Sequence, residues 1–371
     1  MKSRQDRAIA VAVIAPSLVL LAVFVYGFIG QTLYVSMSDW GRGAALAVNP
    51  DLSFVGLDNF RELFTGFLDV RFRQDLVNML AFSVLFVVGC LAVGLLLATL
   101  LEQGVRGEGF FRTVFLFPMS LSFIVTGTIW RWMLQPRGGV NILPELVGLP
   151  RLDFAWLTSR DQVGQWNWQD VPAILGLLAA AACAGLGIRW WLAGGRRKAT
   201  AAGVAGAAAL SWAFSGAAEV QVLPYAEYHG FNLALIGIVV AAVWQMSGYT
   251  MALFLAGLRG IPDELREAAR VDGCSWWQQY RYVELPLLKP IIWSAVIILG
   301  HIALKSFDLV FVMAGPDNAA SSVPAVSMYL TTFRGNQFAK GAAVAVVLLA
   351  LVSLLIVPYL VSTFRSRGEQ A

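Results

Sequence analysis

Several runs of about twenty residues pass with scarcely a charged side chain, and the cleanest of them, residues 76–101, has none. That is the length a helix needs to cross the hydrocarbon core of a bilayer. In lipid every backbone N–H and C=O must be paired within the structure, and a helix pairs them segment by segment. The short alternating strands that a barrel needs do not appear in the sequence. Hydrophobic residues make up 58% of the 371 positions and charged residues only 13%, against roughly 25% charge in soluble chains. The fold class is therefore all-α, a polytopic helical membrane protein.

The clearest spans read at residues 9–30, 76–101, 111–134, 232–255, 291–313 and 339–363. Two weaker ones read at 171–192 and 199–218, the second rich in Ala and Gly (ATAAGVAGAAALSWAFSGAA). The first run is too long for a signal core and reads as a retained span. Lys and Arg stay on the cytoplasmic side. Starting inside with Lys2, Arg4 and Arg7, a count of eight spans places GGRRK (194–198), the loop 262–290 and the tail STFRSR (362–367) inside as well. Six spans, without the weak pair, give the same orientation; seven reverse it. The segments 39–75 and 136–170 then lie outside.

The chain lacks the motifs of several catalytic classes. It has no GxxxxGK[ST] phosphate loop, and no HExxH, GxSxG or CxxC. Cys90, Cys183 and Cys274 lack metal-ligand spacing, and His229 and His301 are the only histidines, so no metal site and no bound cofactor are expected. The net charge of +4 fits cytoplasmic loops in contact with a lipid bilayer and does not suggest nucleic acid.

The stretch 262–290, PDELREAARVDGCSWWQQYRYVELPLLKP, is long for a connector. Pro262 suits the first turn of a helix, and Asp263 and Glu264 suit its positive end. Gly273 is the natural left-handed stop. Ser275 and Gln278 form a capping-box pair for a second short helix, and Pro286 and Pro290 are expected to keep that helix from fusing smoothly with the next span. The small side chains around Glu267, Ala268 and Ala269 let a partner surface approach closely. Alternatively, the loop is an amphipathic linker resting on headgroups.

Glu267-Ala268-Ala269, followed by Asp272-Gly273 and then an apolar stretch ending in Leu285-Pro286, resembles the EAA loop of the integral-membrane subunits of bacterial ABC importers. FVGLDNF, NMLAFSVLFVVGCLAVGLLLATLLE and FFRTVFLFPMSLSFIVTGTIWRWML resemble carbohydrate permeases of the maltose-transporter type. AGLRGIP and HIALKSFDLV look closest to alpha-glucoside and glucose/mannose permeases. The likeness weakens over about 151–225. It implies an ABC importer permease (MetI-like) fold of about eight transmembrane helices, a six-helix family core plus an extra hairpin. The divisions are 1–75 (first helix and external loop), 76–135 (core helices), 136–225 (external segment and hairpin) and 226–371 (core with the coupling loop at 262–290).

The implied function is that of a non-enzymatic transport subunit in the bacterial cytoplasmic (inner) membrane, with both termini inside. Its partners would be a second permease, two ABC ATPase subunits that bind ATP–Mg, and an extracytoplasmic sugar-binding protein. The solute would be an alpha-glucoside or a glucose/mannose-like sugar; a polyol or glycerol phosphate is the alternative. An ion-coupled secondary transporter or a polytopic membrane enzyme are rivals from other classes. The first has no reason for a docking loop, and the second needs clustered loop charges.

Polar groups inside spans mark function by default. His301, Lys305 and Asp308, spaced i, i+4 and i+7, would share one helical face. Trp244, Gln245 and Tyr249 join them as candidates for a substrate path. A purely structural role, with Lys305 paired to Asp308, is the other reading. Asn78 reads as a helix cap or packing contact.

Overall fold

The computed structural model describes residues 4–42, 52–159 and 161–368. Lys2 and residues 43–51 of the first external segment lie outside the described residues, as do the side chains of Arg4, Arg7 and the tail 362–367. In chain order, α1 runs over Arg4–Leu21, passes through a wide turn at Ala22–Gly27 and continues over Phe28–Ser36. Next come α2 (Asp58–Thr65), α3 (Val70–Glu102), α4 (Glu108–Leu116), α5 (Phe123–Met133), β1 (Gln162–Asn167), α6 (Val171–Leu192), α7 (Arg196–Ser215), β2 (Tyr228–Asn232) and α8 (Ala234–Arg259). α9 (Asp263–Val271) leads into α10, which comprises Trp276–Gln279, a wide turn at Tyr280–Glu284, and Leu285–Leu304. The chain ends with α11 (Asp308–Ala314), α12 (Pro324–Tyr329) and α13 (Phe338–Gly368).

Among the described residues six helices are long and apolar enough to cross a membrane, or seven if α4 and α5 count as one bent span. The expected eight is not reached. α7 forms, but its Ala/Gly composition and a first turn of Arg196, Arg197 and Lys198 leave it short of spanning apolarity.

The run 111–134 is not one straight helix. The pair Glu108–Ser120 and Phe123–Met133 is bent by 100°. Pro118 lies in a tightened turn at Phe117–Ser120, Leu121 is extended, and Ser122 caps α5 by accepting from the Val125 N–H at 3.3 Å. The run 291–313 also breaks, because α10 stops at Leu304 and α11 starts afresh at Asp308.

The chain forms two compact units, Met1–Arg160 with Leu233–Ala371, and Asp161–Asn232. In the first, α3 and α8 cross closely. Cys90, Gly94 and Ala98, four residues apart on α3, are all buried, and small residues at that spacing let helix backbones approach. A Cβ on Gly94 would lie 2.1 Å from the Thr250 hydroxyl of α8. That hydroxyl donates to the Cys90 carbonyl at 2.7 Å. Two apolar clusters flank the crossing. One is built around Phe82, Phe86, Ile238, Leu299 and Val344, and the other around Leu101, Phe254, Leu258 and Leu288.

In the second unit, α6 and α7 form a hairpin whose seam is small; a Cβ on Gly176 would come within 2.8 Å of the Ala213 Cβ. Its base is an antiparallel ribbon pairing Gln162 with Asn232 and Trp166 with His229, bulged between Val163 and Trp166. His229 is fully buried, 2.6 Å from the Glu227 carboxylate, with Trp166 and Trp168 packed against its ring.

Candidate functional site

The loop after α8 folds by local rules. α9 starts one residue later than expected, so Pro262 takes the capping position. At the other end Gly273 has φ +80, where a side chain would be strained. The Cys274 N–H bonds the Ala269 carbonyl and the Gly273 N–H the Arg270 carbonyl, each at 3.0 Å, which closes the helix as a Schellman motif. Ser275 and Gln278 form the reciprocal capping box. On α9, Ala269 is buried while Glu267 and Ala268 are exposed, as are Asp272 and Gly273 beyond it. The helix therefore presents an open face next to one that packs inward.

Leu285 and Pro286 do not separate the second short helix from the span. Trp276–Leu304 is one continuous helical rod. A proline ring clashes with the carbonyl four residues back. For Pro286 that is the carbonyl of Tyr282, inside the widened turn Tyr280–Glu284. Widening relieves the clash without breaking the rod.

One side chain that carries no sequence signal ties the loop to the helices. Arg266 of α9 bonds the Glu102 carboxylate at the end of α3 and the Leu258 carbonyl near the end of α8, the latter at 2.9 Å. Its Nε lies 3.4 Å from the buried Glu284 carboxylate in the wide turn of α10. Gln279 also donates to Glu284 at 3.0 Å. Any displacement of α9 thus acts through Arg266 on the ends of α3 and α8 and on the wide turn of α10.

The candidates for a substrate path separate into two groups. His301 and Lys305 line one open cleft of about 520 Å³ together with Phe307, Met328, Tyr329 and Phe333. Asp308 is not on their face. Phe307 stacks on Phe311 at 5.1 Å and packs on Tyr329 at 5.6 Å. The backbone leaves helical geometry at Lys305 and Phe307, and Asp308 opens α11, where a carboxylate meets the positive end of the helix dipole. No carboxylate among the described residues forms an ion pair with Lys305, so the Lys305–Asp308 pair is absent. Phe307, Phe311, Tyr329 and Phe333 form a ladder of rings beside the cleft.

Trp244, Gln245 and Tyr249 lie elsewhere. Trp244 packs edge-on to Trp130 at 5.8 Å. Gln245 is buried and donates to the Leu121 carbonyl at 2.8 Å, which satisfies the backbone at the bend before α5. Tyr249 is half-buried against the core.

A polar cluster sits near the other end of α3. Arg71, Gln74, Asp75 and Asn78 share one face, and three of them reach the segment 316–327. Arg71 donates to the Pro316 carbonyl at 2.7 Å, and Asn78 to those of Ala320 and Ser322 at 3.1 and 2.9 Å. The fully buried Asp75 carboxylate accepts from the hydroxyls of Ser322 and Ser327. Asn78 is thus a clamp across the fold rather than a cap.

Known proteins resemble this chain in sequence and in fold. A "Probable ABC transporter permease protein" of Pyrococcus horikoshii is 32% identical over the whole of both chains. The "Xylose/arabinose import permease protein" of Haloferax volcanii is 29% identical over 94% of this chain and 86% of its own. Among solved structures, a chain of the bacterial alginate ABC transporter in complex with alginate pentasaccharide-bound periplasmic protein superposes with a TM-score of 0.62 at 16% identity, covering 95% of this chain and 93% of its own. The family described as binding-protein-dependent transport system inner membrane component matches residues 90–367, which take in α8, the loop around Arg266 and the cleft at Lys305, and the chain belongs to that family of transport components.

Proposed function

We propose that this chain is one of two permease subunits of an ATP-driven ABC importer for a carbohydrate, embedded in a bacterial cytoplasmic membrane with both termini inside. The observation that carries this reading is the docking loop, an exposed Glu267–Ala268 face on a short helix that Arg266 ties to α3, α8 and α10. A connector has no need of such a device. The energy comes from two partner ATPase subunits, which hold ATP–Mg. When they close, α9 moves with them and the helix ends follow, a rigid-body rearrangement that alternates access to the path. A soluble sugar-binding protein delivers the solute from outside, a partnership supported by the family and by the binding-protein complex of the alginate transporter.

Within the path, the His301–Lys305 cleft offers the two kinds of contact a sugar takes, hydrogen-bonding groups and aromatic faces. The resemblance of AGLRGIP and HIALKSFDLV favours an alpha-glucoside or a glucose/mannose-like sugar. Lys305, which has no carboxylate partner among the described residues, favours a second reading, a solute that bears negative charge, such as glycerol phosphate.

The test uses proteoliposomes containing the full complex. Vanadate-sensitive uptake of a sugar that the binding protein also binds in calorimetry is expected. Glu267→Lys is expected to insert normally yet lose both ATPase association and uptake. ATP-independent uptake, or normal coupling in Glu267→Lys, would overturn the proposal. His301→Ala and Lys305→Ala with unchanged affinity and rate would remove the cleft from the path.

A further inference from the structure

The unit Asp161–Asn232 separates its charges completely. Its acidic residues, Asp161, Asp170, Glu219 and Glu227, all belong to the ribbon end. Its cations, Arg189, Arg196, Arg197 and Lys198, all lie at the α6–α7 turn, and no Asp or Glu occurs in residues 171–218. All four cations are exposed, and none has a carboxylate within ion-pair distance among the described residues. The placement does not serve the fold, because three of the cations occupy the first turn of α7, the end at which the helix dipole disfavours positive charge.

The surroundings of the tip say what kind of partner fits. α6 has 22 residues, so at about 1.5 Å per residue it rises about 33 Å, the thickness of a hydrocarbon core, and α7 packs along it. Their small residues face each other, and their large apolar side chains face outward: Leu178, Ile188 and Leu192 on α6, Val204 and Phe214 on α7. Trp190 and Trp191 adjoin the turn, where indole rings favour the headgroup level. Unpaired cations capping an apolar surface complement a lipid that is negative at its head and apolar along its chains.

We infer that the α6–α7 tip is a docking site for anionic phospholipid. Arg189, Arg196, Arg197 and Lys198 take the phosphate, and Ile188, Trp191 and Leu192 lie along the acyl chains. The inference rests on the membrane placement proposed above but not on the solute or the ATPase.

The experiment reconstitutes the full complex in nanodiscs of phosphatidylcholine mixed with phosphatidylglycerol, followed by native mass spectrometry of the retained lipid. The natural chain is expected to keep phosphatidylglycerol selectively. Each cation removed as Arg→Gln or Lys→Gln should weaken retention roughly fivefold. Single substitutions at Arg196 and Arg197 keep the test valid if a variant with all four cations replaced by Gln fails to insert. Unchanged selectivity in variants that insert would overturn the inference. So would displacement of the lipid by inorganic phosphate alone, which would mark a bare anion site. Loss of partner subunits with lipid selectivity intact would assign the patch to a protein surface and also overturn it. No arm depends on transport, so an error in the solute reading leaves the result interpretable.

Discussion

The two ends of α3 are fastened by opposite chemistry. At residues 71–78 the fastening is buried and made largely of hydroxyls, amides and carbonyls, with Asp75 fully enclosed among Ser322 and Ser327. At Glu102 it is an ion pair, with both side chains still partly exposed, 13% for Arg266 and 21% for Glu102. A buried hydrogen-bonded group cannot leave its partners without stranding them in a medium that does not solvate them. An ion pair near the surface costs little to remake. The buried end holds its segment in place, whereas the charged end can change partners as the docking loop moves.

The stiffest way to break that contrast is to disable the helix between the ends. Gly94→Leu places a side chain where the Thr250 hydroxyl now sits. Overpacking of this kind costs about 3 kcal/mol. We expect both ends to come loose together, seen as a large fall in thermal stability of the complex in detergent. A wild-type melting temperature would show that α3 and α8 do not pack as described.

Asp75→Ala strands two serine hydroxyls at the buried end, and a loss of about 2 kcal/mol is expected, again read as thermal stability. Arg266→Ala should do the reverse. Gln279 still donates to the buried Glu284 carboxylate, so the variant's stability cost is about 1 to 2 kcal/mol, while ATP-driven uptake falls roughly tenfold, the size of a modest coupling energy, with the ATPase still bound. A double-mutant cycle with Glu102→Gln sharpens this, because non-additive uptake is expected if Arg266 works through Glu102. If Arg266→Ala lowers stability as much as Asp75→Ala and spares coupling, the two ends do not differ in kind.

What the sequence disclosed follows the range of each interaction. The apolar runs at 76–101, 171–192, 232–255 and 339–363, the stop at Gly273 and the Ser275–Gln278 box involve neighbours in the chain, and they appear where expected. Arg266 and Glu102 are 164 residues apart, and Asp75 and Ser327 are 252 apart; no periodicity joins such pairs. The bend at Leu121 was hidden because a proline inside an apolar run is compatible with a straight or a broken helix, and Gln245 of another helix satisfies the exposed carbonyl. The break at Lys305 lies beside a ring contact between Phe307 and Tyr329 of another helix, which no spacing discloses, so spacing alone placed Asp308 on the wrong face. The cleft itself was half legible. His301 and Lys305 stood out as charged or polar groups in apolar surroundings, whereas Tyr329 and Phe333 look like ordinary apolar-run residues.

The smallest expected effect lies within the loop and separates its shape from its anchor. Gly273→Ala forces a side chain into φ +80, at a cost of about 1 kcal/mol. Ser275→Ala removes one half of the capping box, again for about 1 kcal/mol. Neither residue touches Arg266, Glu102 or Glu284 through any described hydrogen bond. If the loop works as a rigid piece whose angle is set at the turn, both variants should lower uptake per ATP hydrolysed by a few-fold, leaving the melting temperature of the complex nearly unchanged. If only the Arg266 anchor matters, uptake per ATP in both variants should equal that of the natural chain. The comparison of these variants with Arg266→Ala then decides whether force enters the helices through the turn geometry or through the ion pair alone.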